Sequence, residues 1–127
     1  MEPLEIQYLY DETAKENIVP DNKGVYIIRV KNKKIKRFYG SSDILYIGQG
    51  YLNNRLWCLA DLYSKKKYAH NARAKIRMLK KKDLHIKLEF NYYETENSKE
   101  LESKLLNDYF KKHLELPPFN MVKGKTI

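Results

Sequence analysis

The sequence predicts an α+β fold, with a three-stranded, mainly antiparallel sheet flanked by three helices. Two short apolar runs that resemble strands come first, and they are close enough in sequence to form a hairpin. Apolar residues then recur twice at helical spacing, before one stretch of strict apolar–polar alternation and a third helical stretch. The predicted order is therefore strand, strand, helix, helix, strand, helix.

The two strands of the hairpin are bounded by turn residues. A turn over residues 20–24 combines a proline, which fixes φ, with Asp, Asn and Gly, and it precedes a strand over residues 25–30. The second predicted strand covers residues 44–48, after a turn over residues 40–43. Each strand places a tyrosine near a glycine, a pattern that favours a site because glycine permits close approach of a backbone or a phosphate.

Helical spacing predicts one helix over residues 51–63 and another over residues 69–82. The second helix has an apolar side that includes Ile76 and Leu79, and cations lie on the opposite side. Two interpretations of these cations stay open, a surface that faces phosphates and an ordinary solvated face, and a preceding run of lysines favours the first. The cations of the helix are His70, Arg73, Arg77 and Lys81, and the run is Lys65, Lys66 and Lys67.

Apolar residues alternate with polar ones over residues 84–92, which predicts a strand with one buried face. A third helix is expected to begin at Asn97 or Ser98, either of which is a good cap, with help from Glu100. The helix continues to about residue 113, because two prolines at positions 117 and 118 stop helical structure.

The composition narrows the class of protein. The 127 residues fit one domain, and 25 Lys+Arg against 16 Asp+Glu give a net charge of +9, which favours a polyanion as partner over a role in solubility alone. Cys58 is the single cysteine, so no intrachain disulfide is possible, and a reduced cytoplasmic setting is expected. The sequence shows no zinc-ligand spacing, nucleotide-binding glycine loop, signal peptide or membrane-spanning run.

Glu102 occupies an unusual position in the third helix. On a helical wheel that starts at Leu101, Glu102 lies at about 100°, in the middle of the apolar arc. A carboxylate that faces a core must be paired, hydrogen-bonded or bound to a metal, or it costs several kcal/mol. Two interpretations stay open: a salt bridge, for which Arg55 is the natural partner, or a functional site that includes this pair.

These motifs together resemble the GIY-YIG nuclease family. They are Gly24-Val25-Tyr26, Tyr46-Ile47-Gly48-Gln49-Gly50, Arg55, Glu102 in its Leu-Glu-Ser-Lys-Leu-Leu context, and Asn120 after Pro117-Pro118-Phe119. The resemblance covers about residues 24–120. It departs from the family pattern at Val25 and in a lysine- and arginine-rich insertion over residues 31–37, which either touches DNA or is a solvated loop.

The resemblance implies a domain of the GIY-YIG type over residues 21–127, after an N-terminal extension over residues 1–20. It also implies hydrolysis of DNA phosphodiester bonds with one divalent ion, Mg²⁺ or Mn²⁺, on Glu102. Tyr26 and Tyr46 would position or deprotonate the attacking water, with Tyr26 slightly favoured as the base. The other implied residues are Arg55 on the scissile phosphate, Asn120 as a brace and His70 as a further catalytic candidate, with Gly48 and the cations named above as DNA contacts.

Two other functions stay open at this stage. The first is a nucleic-acid-binding module without chemistry. The second is a nuclease subunit that is silent until a partner supplies affinity for DNA. The expected partner is DNA. A homodimer or a partner subunit is a further expectation, and no association with a membrane is expected. A cytoplasmic or nucleoid-associated location is expected, and the DNA sequence preference is not predicted.

Overall fold

Three long antiparallel strands form the centre of the fold in the computed structural model, which describes residues 4–5, 22–52 and 71–120. Strand β2 (Lys23–Val30) pairs with β5 (Ile44–Tyr51) on one side and with β6 (Leu88–Glu94) on the other. A two-residue strand, β1 (Leu4–Glu5), pairs with the outer edge of β6, so the strand order is β1-β6-β2-β5. Strand β5 is thus an edge strand of this sheet.

The remaining elements surround this sheet. Strands β3 (Ile35–Lys36) and β4 (Ser41–Ser42) form a separate two-stranded hairpin between β2 and β5. Helix α1 (Asn71–Lys82) precedes β6, and helix α2 (Ser98–His113) follows it. A 3-10 helix (Pro118–Asn120) ends the described residues.

Helices α1 and α2 pack against opposite faces of the sheet. Side chains alternate between the faces along a strand, so Val25 and Ile27 point one way and Tyr26 and Ile28 the other. The first pair packs against α2 through its leucines. The second pair shares a core cluster with Ile76 of α1, which is fully buried. The central strand is therefore buried on both faces, and its tyrosine lies on the α1 side.

The prediction of three flanking helices is wrong, whereas the α+β class and the antiparallel sheet of three long strands are confirmed. The described residues contain two α-helices and a 3-10 turn, and the short strand β1 adds a fourth strand to the sheet. The helix predicted over residues 51–63 falls almost entirely outside the described residues, and its first residue, Tyr51, continues β5. Pairing of Lys23 with Tyr51 extends the hairpin past Gly50, which takes a positive φ of 141°.

The start of the third strand and the cap of the last helix also differ from expectation. The alternation predicted a strand from residue 84, but residues 83–87 form a turn, in which the Asp83 carboxylate accepts a hydrogen bond from the His85 amide. Leu84 is consequently 83% exposed. Helix α2 begins at Ser98, one of the two predicted positions, but the Asn97 side chain makes no capping hydrogen bond, and the Ser98 hydroxyl donates to Gln49. A turn with a local hydrogen bond therefore delays the start of the strand, and the Ser98 hydroxyl makes a contact distant in sequence instead of a cap.

None of the helices in the described part of the chain is long and apolar enough to cross a bilayer.

Candidate functional site

The two tyrosines of the glycine motifs lie side by side on one face of the sheet. The β2–β5 register pairs Tyr26 with Gly48 and Ile28 with Tyr46, so the tyrosines are diagonal neighbours on adjacent strands. Their ring centroids are 5.9 Å apart, and the rings are tilted by 40°. The structure therefore brings together two residues that are separated by twenty positions in the sequence.

Gly48 makes this arrangement possible. A Cβ atom at this position would lie 2.5 Å from Cζ and Oη of Tyr26 and 2.7 Å from Cε2 of Tyr46. Both rings therefore occupy the space that a side chain would need. Gly48 itself is buried beneath them, so it supports the tyrosines and presents no open backbone surface for a DNA contact.

Gly24 has a different role. A Cβ atom there would meet the backbone oxygen of Tyr93 and the side chain of Leu52, and neither site tyrosine lies among its nearest neighbours. The first glycine thus allows close packing of neighbouring chain segments. Of the two glycines that suggested a site, only Gly48 touches it.

The two tyrosines differ in their access to solvent. Tyr26 is 1% exposed and belongs to the core, whereas Tyr46 is partly exposed at the edge of the same cluster. Tyr92, opposite Tyr26 on β6, is also buried, and desolvation, followed by the charge of Glu94, raises the pKa of its phenol. A substrate can therefore reach Tyr46 more readily than either of the other two.

Asn120 holds the middle residue of the Tyr-Ile-Gly motif. Its side-chain amide donates to the Ile47 carbonyl at 2.7 Å, and its side-chain oxygen accepts from the Ile47 amide at 2.9 Å. Ile47 lies on the edge strand β5, whose outward backbone groups would otherwise lack partners in the sheet. The 3-10 helix therefore fixes the peptide between Tyr46 and Gly48, as expected of a brace.

Replacement of Asn120 by alanine should lower the free energy of unfolding by about 1–3 kcal/mol, because both backbone groups of Ile47 lose their partner. Thermal unfolding followed by circular dichroism measures the loss. Asn107→Ala is the matched control, since Asn107 is exposed on α2 and should tolerate the change. Equal melting temperatures for the two variants would show that the bonds to Ile47 do not stabilise the fold.

Glu102 lies on α2, whose leucines pack on the face of the sheet opposite the tyrosine rings. Its side chain is half-buried, and burial raises the pKa of its carboxyl above the ordinary value of 4.5. Among the residues that the structure describes, no hydrogen bond or ion pair to Glu102 is present. The half-buried position of Glu102 is consistent with its place on the helical wheel. The apolar contacts of the helix with the core are made by Leu101, Leu105 and Leu106.

A hydrogen bond ties the start of α2 to the tyrosine strand. The Ser98 hydroxyl donates to the side-chain oxygen of Gln49 at 2.9 Å. Gln49 follows Gly48 in β5, and Glu102 is one helical turn after Ser98. This hydrogen bond therefore joins the helix that carries Glu102 to the edge strand that carries Tyr46. Sequence reasoning missed this bond, whose two partners lie 49 positions apart.

The described residues around Glu102 fit a metal ion that takes few of its ligands from the protein. Within residues 4–5, 22–52 and 71–120, no group of three or more His, Cys, Asp or Glu side chains is placed to hold a metal. Mg²⁺ is commonly bound by one or two carboxylates with several retained waters and substrate oxygens. A half-buried carboxylate without a partner in the described chain fits that mode of binding.

The structure describes the side chains of only some of the predicted cations. Lys81 is exposed on α1, and Lys75 of the same helix lies 5.9 Å from the ring centroid of Phe119, beside the brace. Lys75 was absent from the predicted basic stripe. The predicted residues that lie outside the described residues are Arg55, Lys65, Lys66, Lys67 and His70, and the side chains of Arg73 and Arg77 are likewise not described.

No protein-family model, no curated protein and no solved structure matches this chain.

Proposed function

We propose that this protein is a metal-dependent DNA endonuclease of the GIY-YIG type, which hydrolyses phosphodiester bonds. The observation that carries the proposal is the packing of Tyr26 and Tyr46 over Gly48, with Asn120 clamped to Ile47 between them. Three separate motifs of the sequence resemblance thereby meet in one rigid arrangement. The strongly basic composition supports an anionic polymer as the substrate.

Tyr46 is the proposed contact with the attacking water. Its ring is partly exposed, whereas Tyr26 is buried and is suited to positioning the Tyr46 ring. This assignment reverses the preference for Tyr26 that the sequence suggested. A tyrosine with a pKa of about 10 needs a nearby cation to act as a base at neutral pH. Arg55, on the scissile phosphate, and Lys75 are the proposed sources of that charge.

Glu102 is the proposed ligand of one Mg²⁺ or Mn²⁺ ion. Such an ion would polarise a phosphoryl oxygen and neutralise developing charge. The contribution of the chain is a carboxylate whose burial disfavours its own ionised form, so that a bound cation would relieve that cost. His70 remains a candidate for proton transfer to the leaving oxygen.

Helix α1 is the proposed DNA-binding element. It packs on the tyrosine face through Ile76 and Leu79, and its sequence NARAKIRMLKKK contains cations but no carboxylate. Unpaired cations beside a phosphate site strengthen binding in a salt-dependent way. The lysine run at residues 65–67 would extend the same positive surface along the DNA.

The Tyr46→Phe variant tests the chemistry directly. It removes the hydroxyl but keeps the ring that packs on Tyr26, so DNA binding and folding should be unchanged. The rate of plasmid cleavage should fall by about 10²- to 10⁴-fold, as for other losses of an acid–base group. Tyr51→Phe is the matched control, because Tyr51 is a 55% exposed tyrosine at the end of the same strand.

Two outcomes of this assay would redirect the proposal. Equal cleavage by Tyr46→Phe and the wild type would remove Tyr46 from the chemistry. Tight DNA binding without cleavage by the wild-type protein, over several substrates and both metal ions, would support a binding module or a subunit that needs a partner.

A further inference from the structure

The β3–β4 hairpin presents two adjacent aromatic side chains to solvent. Phe38 is 78% exposed and Tyr39 is 67% exposed, at the tip between the two short strands. Large aromatic side chains are usually buried, and an exposed pair is a marker of a contact surface. The proposed phosphodiester chemistry makes no use of these residues.

Hydrogen bonds from Arg37 and Phe38 anchor the backbone of the hairpin tip. The Phe38 amide donates to the Glu115 carboxylate at 2.9 Å. Arg37 donates to the Leu116 carbonyl at 2.6 Å, and its Nε atom lies 3.0 Å from the Glu115 carboxylate. These contacts join the hairpin to the chain that follows α2.

Tyr39 is held in the same way. Its amide donates to the His113 carbonyl at 3.1 Å, and its carbonyl is bound to Nδ1 of His113 at 2.8 Å. His113 is itself buried at the end of α2. All of the hydrogen bonds to Phe38 and Tyr39 use backbone atoms, so the pair is pre-organised while both rings stay exposed.

The charges around the tip favour a nucleic acid as the occupant. Arg37 and Lys33 are paired with Glu115 and Asp83 respectively. Lys34 and Lys36 are exposed and have no ion pair within the described part of the chain. Exposed aromatic rings beside free cations are the combination that binds single-stranded nucleic acids, through base stacking and phosphate contacts.

One segment of the chain, residues 115–120, contacts both the hairpin and the strand that carries Tyr46. Glu115 and Leu116 hold the hairpin, and four residues after Leu116, Asn120 holds Ile47 between Tyr46 and Gly48. A base held at the tip would therefore be fixed relative to the proposed catalytic strand. This continuity favours a contact with the substrate over a contact with an unrelated partner.

We propose that Phe38 and Tyr39 stack on unpaired bases of the DNA substrate, so that the protein prefers DNA with a single-stranded or unpaired segment. The inference rests on the proposed function for the identity of the polymer. Rings of this kind need exposed base faces, which a fully stacked duplex does not offer.

The test compares a fluorescein-labelled oligothymidine with an abasic oligomer of the same length, in EDTA. The double variant Phe38→Ala/Tyr39→Ala should bind oligothymidine about tenfold or more weakly than the wild type, since stacking carries a substantial energy per base. Its affinity for the abasic oligomer should be unchanged. Lys36→Ala should weaken the binding of both oligomers equally, and Leu84→Ala, at another highly exposed apolar position, should weaken neither.

Equal oligothymidine affinity for the double variant and the wild type would overturn the inference. An equal loss for both oligomers would also overturn it, because the effect would not involve bases. Plasmid cleavage by the wild type is measured separately. Base-dependent binding without any cleavage would contradict the proposed nuclease while leaving the stacking role intact.

Discussion

Replacement of Glu102 by glutamine should reduce DNA cleavage at least about a hundredfold, comparable to the loss of one essential charge-stabilising group. Glutamine keeps the size and the half-buried position of the side chain but removes the charge that is proposed to hold the divalent ion. The affinity for DNA in EDTA should stay within about twofold, because the proposed phosphate contacts belong to other residues. Gel-based nicking of plasmid and fluorescence anisotropy measure the two effects.

The same substitution should stabilise the protein at neutral pH. Burial raises the folded-state pKa of Glu102 above 4.5, so the folded protein binds more protons than the unfolded chain as the pH rises through that range. Stability is therefore lost above pH 4.5 in the wild type, and glutamine avoids this loss. The melting temperature of Glu102→Gln should exceed that of the wild type at pH 7, and the difference should vanish near pH 4.

Glu100→Gln is the matched control for both effects. Glu100 is an exposed glutamate in the first turn of α2, two residues before Glu102, and its replacement should leave cleavage unchanged. A Glu102→Gln variant that cleaves at the wild-type rate would exclude Glu102 as the metal ligand. A lower melting temperature at pH 7 would show that the ionised carboxylate has a stabilising partner.

Replacement of Gly48 by alanine should disrupt both the fold and the activity. The added methyl group would lie 2.5 Å from the Tyr26 ring and 2.7 Å from the Tyr46 ring. Tyr26 is 1% exposed and has no free space to rotate into, so the strain should cost about 1–3 kcal/mol of stability. Displacement of the Tyr46 hydroxyl should lower cleavage about a hundredfold even well below the melting temperature.

A graded series distinguishes this steric effect from a general loss of stability. Gly48→Val should be worse than Gly48→Ala, because a larger side chain meets the same two rings. Leu105→Ala provides a destabilised variant that leaves the tyrosine rings in place, because Leu105 packs in the core cluster on the opposite face of the sheet. If Gly48→Ala retained the wild-type cleavage rate and melting temperature, the tyrosine rings would not occupy the space above Gly48.

The sequence was most informative where apolar residues form a continuous run or recur at helical spacing. Strand β2 and helix α1 lie within two residues of their predicted bounds, because Val25, Ile27 and Ile76 mark faces that the core completes. The strand predicted from residue 84 was wrong at its start, since Leu84 fits the alternation but lies in an exposed turn. Alternation alone does not distinguish a strand from a turn that directly follows the end of a helix.

The sequence pointed to four residues that the structure brings together, Tyr26, Tyr46, Gly48 and Asn120, but not to their geometry. Glycine beside tyrosine signalled a constrained position, yet only the pairing register shows that both rings cover Gly48. The clamp of Asn120 on Ile47 joins residues 73 positions apart, and no local pattern contains that information. The exposed Phe38–Tyr39 pair carried no signal in the sequence, because exposure depends on the contacts of the hairpin with Glu115 and His113.

The most direct test of the central claim is the conversion of supercoiled plasmid to nicked and linear forms by the purified protein. The wild type is expected to cleave with Mg²⁺ or Mn²⁺ and not to cleave with EDTA. The Tyr46→Phe and Glu102→Gln variants, prepared identically, are expected to cleave much more slowly. Equal residual cleavage by the wild type and both variants would reveal a contaminating nuclease. Complete absence of cleavage by the wild type on supercoiled, single-stranded and branched DNA, with either metal ion, would contradict the assignment as a nuclease.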